Sequence, residues 1–372
     1  MAALGGLLAR QQRVLRSLGR TRAAERQEQS RTARELARQV GALRGRLEER
    51  GAAAGAEAGG AAHNVDYCGR EMPAGDAARI MEALSGGVCL LQGEYVFVDP
   101  ATGRPLRGAQ EEERREGSAQ PGARGAWSVG AAGPLLTVEY SATGFLVERR
   151  GYILTNRHVA APWTVSREYR HILEAGYEGR LTVLRAYFPH QERGFDARVA
   201  RLSEAGDDVA VLRAELGEAA IPVLPCAAGP GAIRAGETVI VLGYPAGFDA
   251  VLARLEPGRL EQLLPGGEGT MAQMAERLAA AGLIEPIGTR GMCGCVVGDR
   301  VVYDAGTAIG GSGGPVINGE GQVVAINTAL LKGFAGTNVG IAVGKGLALL
   351  EGQGQAGEEV AAVSGEWGDL SH

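Results

Sequence analysis

The sequence predicts an all-β core, interrupted by one helical insertion and preceded by a helical arm. Short apolar and β-branched runs, separated by turns that contain Gly and Pro, indicate the strands. Between residues 249 and 284, leucines and methionines recur at helical spacing instead. Before residue 50, Leu36, Val40, Leu43 and Leu47 follow one another at intervals of 4, 3 and 4 residues in a stretch rich in Arg, Gln, Glu and Ala. That spacing is typical of an amphipathic helix.

The strands of the first half are predicted between residues 88 and 212. A short helix at 73–84 precedes them, and the charged, Gly- and Pro-rich segment 99–133 is predicted as a long surface loop. The predicted strands cover residues 88–91, 137–147, 152–154, 181–188, 195–202 and 208–212. A second set of strands is expected between about residues 238 and 343.

Shifts in composition divide the chain. Residues 1–50 form the arm, as a coiled coil, a solvated single helix or a targeting segment, because residues 1–24 carry five arginines and no acidic residue. The Gly- and Ala-rich stretch 51–72 is predicted as a flexible linker. Residues 73–345 form the main domain, and residues 346–372 form a C-terminal tail. The insertion at about 249–284 either covers a binding cleft as a lid or packs its apolar stripe on the second set of strands.

The most informative motif is the glycine-rich turn around Ser312. Its sequence is Gly310-Gly311-Ser312-Gly313-Gly314-Pro315. Glycines reach backbone conformations that other residues avoid, so successive amide N–H groups can point at one spot beside an exposed hydroxyl. This arrangement indicates acyl transfer with Ser312 as the nucleophile. The alternative is an ordinary glycine turn, in a chain that contains 59 glycines.

Two further residues have the chemistry that such a serine needs. Of the five histidines in the chain, only His158 ends an apolar, β-branched run. An imidazole can take a proton from a serine hydroxyl and return it later. Asp208 begins a predicted strand that is apolar throughout, where an unpaired charge would cost several kcal/mol, so we expect a partner such as a protonated imidazole. The chain order His158, Asp208, Ser312 completes a candidate catalytic triad.

These residues and their surroundings resemble the chymotrypsin-like serine proteases, and most closely the Deg/HtrA branch. The resemblance covers about residues 87–344, and it identifies Asp208 rather than Asp207 as the aspartate of the triad. Its motifs are TGFLV at 143–147, GYILTNRHV at 151–159, DVAVL at 208–212, GETVIVLGYPAG at 236–247, VVAINT at 323–328 and GIAV at 340–343. The sequence after Val343 is too short for the peptide-binding PDZ module that many members carry.

The resemblance implies a fold of two six-stranded antiparallel β-barrels of the trypsin-like type, with the catalytic groups in the cleft between them. Ser312 would attack the substrate carbonyl, His158 would transfer the proton and Asp208 would orient the imidazole. The oxyanion would lie on the backbone N–H groups of Gly310 and Ser312. Trypsin-type zymogens carry Asp before the serine, and Deg/HtrA proteases commonly carry Asn. Gly311 departs from both patterns and predicts a more flexible loop, ordered by a substrate or a partner.

Specificity is predicted from the segments on either side of the serine turn. The expected substrate-binding residues are Thr307, Ala308, Ile326, Asn327, Thr328 and Ile341. None of them is charged, so we expect cleavage after small or medium aliphatic residues such as Val, Ala or Leu, rather than after Lys or Arg. Asp304 lies in the same segment and is interpreted as structural, with a cation anchor as the alternative.

Composition restricts the class of protein. The chain has 372 residues, of which 45 % are apolar, enough for a sizeable core. Residues 1–50 carry a net charge of +7 in a chain of total charge −5, so the remainder is acidic and nucleic acid is not expected as a partner. No apolar run reaches about 18 residues, so no membrane span is expected. The five cysteines suggest no disulfide framework, and a reducing compartment is predicted: the cytoplasm, or a mitochondrion or plastid if residues 1–24 are a presequence.

The predicted function is that of a serine endopeptidase acting on protein or peptide substrates. No cofactor or metal is expected, and the arm could pair copies of the chain into a homo-oligomer. Two alternatives stay open. One is a catalytically silent module that holds peptides by strand addition at residues 326–328. The other is an esterase or a self-processing protein that uses the same triad.

Overall fold

The computed structural model describes residues 74–108, 127–128, 133–204, 207–229, 231–263, 270–308, 310–330 and 337–352. The predicted arm at 1–50 and linker at 51–72 lie outside these residues. The first half of the described chain contains the following elements: α1 (Ala74–Ser85), β1 (Val88–Val98), β2 (Arg107–Gly108), β3 (Trp127–Ser128), β4 (Thr137–Glu148), β5 (Tyr152–Thr155), α2 (Arg157–Ala160), a 3₁₀ turn (Pro162–Thr164), α3 (Arg170–Glu174), β6 (Glu178–Tyr187), β7 (Phe195–Leu202) and β8 (Ala210–Ala214).

Six of these strands form the first barrel. They close in the order β1-β4-β5-β8-β7-β6, and every neighbouring pair is antiparallel. β1 extends beyond the predicted end at residue 91 because Tyr95, Val96 and Phe97 continue its apolar run after a bulge. β8 begins at Ala210, so Asp208 precedes the strand that it was predicted to open.

The second half of the described chain contains the other barrel. Its elements are β9 (Thr238–Gly243), α4 (Gly247–Leu252), α5 (Pro257–Leu263), α6 (Met271–Ala280), β10 (Ile287–Val297), β11 (Arg300–Tyr303), β12 (Pro315–Ile317), β13 (Val323–Leu330), β14 (Asn338–Ala342) and α7 (Val343–Glu351). Six strands close in the order β10-β11-β14-β13-β12-β9, again antiparallel. The fold class of two six-stranded antiparallel barrels is therefore confirmed.

A shared apolar cluster joins the two barrels. Phe145 and Leu154 of the first barrel lie in one cluster with Ile240, Leu242 and Ile326 of the second, and all five side chains are at most 1 % exposed. Burying a side chain of this size contributes roughly 1.5–3 kcal/mol. The cluster therefore fixes how the end of β5 on one barrel faces the serine turn on the other.

The insertion is helical, as predicted, but it packs on the first barrel. Ala275 and Leu278 of α6 are buried in the inter-barrel cluster. Glu276, on the same helix, forms an ion pair with Arg185 and accepts a hydrogen bond from Tyr187 Oη at 2.9 Å. Both partners lie on β6, so the expected packing on the second barrel is corrected. The helical spacing indicated an apolar stripe, but it did not show which barrel carries the donors that bind Glu276.

The predicted tail begins as a packed helix. α7 contacts β7 and β8 of the first barrel and β13 and β14 of the second. Gly346 and Leu349 are buried, and Arg201 Nη1 donates to Leu349 O at 3.1 Å. Residues 346–351 therefore belong to the packed domain, because their small and apolar residues face both barrels.

The segment predicted as a surface loop at 99–133 is partly structured. Leu106 is buried, its N–H donates to Phe97 O at 2.8 Å, and its carbonyl accepts from Leu136 N at 3.0 Å. β2 and β3 form a small two-stranded sheet beside it. The apolar Leu106 thus brings residues 105–108 onto the first barrel, while residues 109–126 lie outside the description.

Cys89, Cys226, Cys293 and Cys295 are all free thiols. Burial raises the pKa of Cys226 to about 12, so this thiol stays protonated at neutral pH. Within the described ranges, no cluster of three or more His, Cys, Asp or Glu side chains could hold a metal ion. The helices of those ranges include none that is both long and apolar enough to cross a bilayer.

Candidate active site

His158 and Asp208 meet where β5 and β8 lie side by side. Thr155 at the end of β5 pairs with Ala210 at the start of β8. His158, shortly after Thr155, and Asp208, just before Ala210, therefore lie next to each other. His158 Nδ1 lies 2.7 Å from Asp208 Oδ2, and the His158 backbone N–H donates to Asp208 Oδ1 at 2.9 Å. When the Nδ1 proton faces the carboxylate, a neutral imidazole keeps Nε2 unprotonated, as a general base requires.

The Asp208 carboxylate is surrounded by donors. Besides the ring and the amide of His158, the Thr328 hydroxyl donates to it. Burial raises the pKa of the Asp208 carboxyl, but the hydrogen bond and charge of the His158 ring, the Thr328 hydroxyl and the His158 amide outweigh burial and hold the pKa below its ordinary value. Asp208 is therefore ionised at neutral pH. The neighbouring Asp207 is engaged elsewhere, since its carboxylate lies 3.2 Å from Lys345 Nζ.

Ser312 lies on the second barrel, in the turn before β12. Its Oγ donates to Thr328 O at 3.4 Å, a long contact for a hydroxyl donor. Thr328 thus contacts both Ser312, through its carbonyl, and Asp208, through its hydroxyl. Thr328 therefore links the serine turn to Asp208, and Asp208 in turn contacts the His158 ring. Rotation about the serine Cα–Cβ bond redirects Oγ, and catalytic hydrogen bonds are often loose until a substrate is bound.

The two backbone amides predicted for the oxyanion are unused. Within the part of the chain that the structure describes, neither the Gly310 nor the Ser312 N–H donates to another residue. The other glycine amides of the turn all donate to backbone carbonyls, at 2.8 to 3.1 Å. Gly310 has a φ of +95°, a conformation that favours glycine. Two unused N–H groups beside a serine hydroxyl are what the stabilisation of an oxyanion requires.

Gly311 is enclosed, while the greater flexibility of its loop stays a prediction. A Cβ at this position would lie 2.4 Å from Thr307 Oγ1, so no side chain fits without displacement. The Gly311 carbonyl accepts from Asn327 Nδ2 at 2.7 Å, and its N–H donates to Ala308 O at 2.9 Å. The absent side chain thus leaves room for Thr307, and Asn327 holds the Gly311 carbonyl.

Two of the six predicted substrate-binding residues have exposed surface next to the serine turn. Thr307 is partly exposed and Ala308 is exposed, whereas Thr328 is buried, with 8 % of its surface exposed. Thr307 Oγ1 accepts a hydrogen bond from Asn327 Nδ2 at 3.1 Å, which connects the segment before the serine turn to β13. The Thr328 hydroxyl is engaged by Asp208, so its role in this arrangement is to support the carboxylate.

The other three predicted residues are buried. Ile326 and Ile341 are 0 % and 1 % exposed in the inter-barrel cluster, and Asn327 is 2 % exposed. The Asn327 side chain also accepts a hydrogen bond from Tyr303 Oη at 2.6 Å. Ile326 and Ile341 are covered by the apolar cluster between the barrels, and the Asn327 side chain is engaged by hydrogen bonds within the second barrel. Contact of these three residues with a substrate stays a prediction.

Asp304 has a structural partner. Its Oδ1 accepts a hydrogen bond from Met292 N at 2.6 Å, and its own N–H donates to Met292 O at 3.2 Å. The residue therefore ties the segment after β11 to β10. These contacts favour the structural interpretation over a cation anchor.

Sequence reasoning missed the roles of two threonines. Thr328 was assigned to the substrate, because nothing local connects it with Asp208, 120 residues away. Thr143 was not singled out, although it holds the serine turn through Gly310 and Ser312. The one available signal was a hydroxyl inside a run of buried residues on β4.

Two closed six-stranded antiparallel barrels constitute the trypsin-like fold. Residues 142–326 match the family model of the trypsin-like peptidase domain. The chain therefore has a trypsin-like fold and resembles the trypsin-like peptidases over these residues, and the relatives with similar sequences are proteases of the Deg/HtrA type.

The chain is 26 % identical over 210 residues to HhoA of Synechocystis sp., whose name assigns it to the serine proteases. It is 24 % identical over 190 residues to Protease Do-like 1, chloroplastic, of Arabidopsis thaliana. These matches cover 56 % and 51 % of this chain, but only 41 % and 33 % of the two relatives. The match thus spans less than half the length of either relative.

Solved structures of HtrA-type proteases are also similar. AlgW with a bound decapeptide is 17 % identical with a TM-score of 0.43, and the match covers 74 % of this chain and 66 % of AlgW. The serine endoprotease from Yersinia pestis is 15 % identical with a TM-score of 0.41, over 74 % of this chain and 65 % of that one. The closed barrels themselves, rather than these overlaps, define the fold.

Proposed function

We propose that this protein is a serine endopeptidase that hydrolyses peptide bonds through an acyl-enzyme on Ser312. The observation that carries the proposal is the His158–Asp208 pair, linked through Thr328 to a turn that carries the Ser312 hydroxyl and two amides with no acceptor among the described residues. The family supports the same reaction class, since residues 142–326 match a peptidase domain.

The proposed reaction follows from the roles that these groups can take. Ser312 Oγ attacks the peptide carbonyl carbon while His158 Nε2 takes the hydroxyl proton. The carbonyl oxygen becomes an oxyanion held by the Gly310 and Ser312 N–H groups. His158 then protonates the leaving amine as the C–N bond breaks, and a water molecule, activated by the same imidazole, releases the acyl group. Asp208 stays ionised and stabilises the imidazolium formed at each step.

Specificity for small or medium aliphatic residues is the finer part of the proposal. Thr307 and Ala308, the described predicted substrate-binding residues with exposed surface, are uncharged, and Asp304 is engaged by the backbone of Met292. We expect cleavage of a mixed peptide library after Val, Ala and Leu, with mass spectrometry of the products as the measurement. The Ser312→Ala protein serves as the control for contaminating proteases. Equal cleavage after Arg and Val would contradict the specificity, and cleavage of activated esters without any peptide would indicate an esterase.

A peptide-binding module without catalysis is the second candidate. The observation that favours it is the Ser312 hydroxyl, which donates to Thr328 O rather than to the His158 ring. If this candidate is right, the protein binds library peptides and leaves all of them intact. The same library experiment therefore separates the two functions.

We also propose protein or peptide substrates, as for the family, and assembly through the arm at residues 1–50. The domain limits at 1–50, 51–72 and 73–345 belong to this proposal, with α7 now added to the main domain. A reducing compartment remains the proposal for location. An organelle fits it as well, because one relative is named chloroplastic.

A further inference from the structure

A buried threonine of the first barrel holds the serine turn of the second. Thr143 lies on β4 and is 0 % exposed. Its backbone N–H donates to Ser312 O at 3.0 Å, and its hydroxyl donates to Gly310 O at 2.7 Å. These two carbonyls belong to the peptide groups on either side of the Gly311–Ser312 peptide, which carries the Ser312 N–H.

The peptide group between them is held from the other barrel. Asn327 Nδ2 donates to Gly311 O at 2.7 Å. Because a peptide group is planar and trans, fixing this oxygen also fixes the direction of the Ser312 N–H. Three successive carbonyls of the turn are thus held by two residues, Thr143 and Asn327, one from each barrel. Glycine backbones rotate at little steric cost, so these hydrogen bonds determine where the turn's amides point.

Thr143 also connects the turn to the rest of the site. Its hydroxyl accepts a hydrogen bond from Tyr244 N at 3.0 Å, at the start of the turn that leads into the helical insertion. That turn abuts the serine turn, since a Cβ on Gly310 would lie 2.6 Å from Tyr244 O. The Thr143 carbonyl accepts from Thr155 Oγ1 at 2.8 Å, at the end of the strand that precedes His158.

We propose that Thr143 is a positioning residue for the hydrolysis proposed above. Its hydroxyl and N–H hold the peptide groups on either side of the Gly311–Ser312 peptide, so that the Ser312 amide is aligned with the developing oxyanion. The inference rests on the proposed function, and it adds a residue that touches neither substrate nor nucleophile side chain. The test should remove the Thr143 hydroxyl, because this group donates a hydrogen bond to Gly310 O and accepts one from Tyr244 N. Valine has nearly the same shape as threonine but can form neither hydrogen bond.

Thr143→Val is expected to lower kcat about 10- to 100-fold with little change in KM, because a misplacement of about 1 Å near the reacting atoms costs rate rather than binding. Affinity for a peptide boronic acid, which occupies the oxyanion site, should fall by a similar factor, while affinity for a product peptide stays unchanged. Thr143→Ser keeps the hydroxyl and should restore most of kcat. If Thr143 were merely structural, Thr143→Val would lower thermal stability without a selective loss of kcat and of boronic acid affinity.

Thr182→Val is the matched control. It removes a hydroxyl that donates to Glu94 at 2.7 Å on the far side of the first barrel, and it should leave kcat unchanged. If Thr143→Val does not fold, Thr143→Cys carries the test, because a thiol is a weak donor of similar size. An active wild type whose folded Thr143→Val keeps full kcat, or whose Thr143→Cys matches Thr143→Ser, overturns this inference alone. A wild type that hydrolyses no peptide overturns the proposed function itself.

Discussion

Ser312→Ala is expected to abolish peptide hydrolysis, lowering kcat by a factor on the order of 10⁶. The alanine cannot form an acyl-enzyme, so the His158–Asp208 pair has no hydroxyl to activate. The fold should be retained, because the one hydrogen bond of the serine side chain to a described residue is the 3.4 Å bond to Thr328 O. Initial rates on the library peptides, together with thermal unfolding curves of both proteins, are the measurements. Residual hydrolysis within tenfold of wild type would show that another group is the nucleophile.

Asp208→Asn is expected to lower kcat by roughly 10⁴ near neutral pH, without removing the fold. The carboxylate accepts from the His158 amide at Oδ1, and from the His158 ring and the Thr328 hydroxyl at Oδ2. An asparagine has one oxygen and one NH₂ for these two positions. Whichever way the amide is turned, its NH₂ faces a donor.

The two orientations of the asparagine have different costs. With NH₂ toward the ring, His158 must carry its proton on Nε2, which removes the base that Ser312 needs. With NH₂ toward the backbone, the His158 amide loses its acceptor and the ring is displaced. Thr328→Val is the matched control, because it removes one donor to Asp208 and keeps the carboxylate, so its loss of kcat should be much smaller. Equal rates for Asp208→Asn and wild type would contradict the assigned role of Asp208.

The parts of the fold that the sequence predicted are those encoded locally. The strands from residue 137 to residue 214 were found within a few residues of their predicted positions, since each is an apolar run bounded by turn residues. The order of His158, Asp208 and Ser312 was readable because each ends or begins such a run. The contact between His158 and Asp208 then follows from the pairing of β5 with β8.

The parts that the sequence did not predict depend on tertiary packing. Nothing in the helical spacing of the insertion identified Arg185 and Tyr187 of β6 as partners of Glu276. Burial of Ile326 and Ile341 comes from the apolar cluster between the two barrels, which alternation along one strand cannot reveal. The sequence likewise did not show that Thr307 fills the space beside Gly311.

Gly311 illustrates the difference between a residue's own properties and its surroundings. A glycine in isolation predicts freedom of the backbone. In the structure, Thr307 Oγ1 occupies the space that a side chain would take, and Asn327 Nδ2 donates to both Thr307 Oγ1 and Gly311 O. The place of this glycine is therefore set by side chains outside the turn.

The central claim is that Ser312 is a nucleophile activated by His158, and reaction with a fluorophosphonate probe tests it most directly. The serine Oγ would displace fluoride and form a stable phosphonate ester, which peptide mapping by mass spectrometry locates. We predict one label per chain on Ser312, and a loss of labelling in a folded His158→Ala protein. A folded wild type without label on Ser312, or undiminished labelling of His158→Ala, would contradict the account.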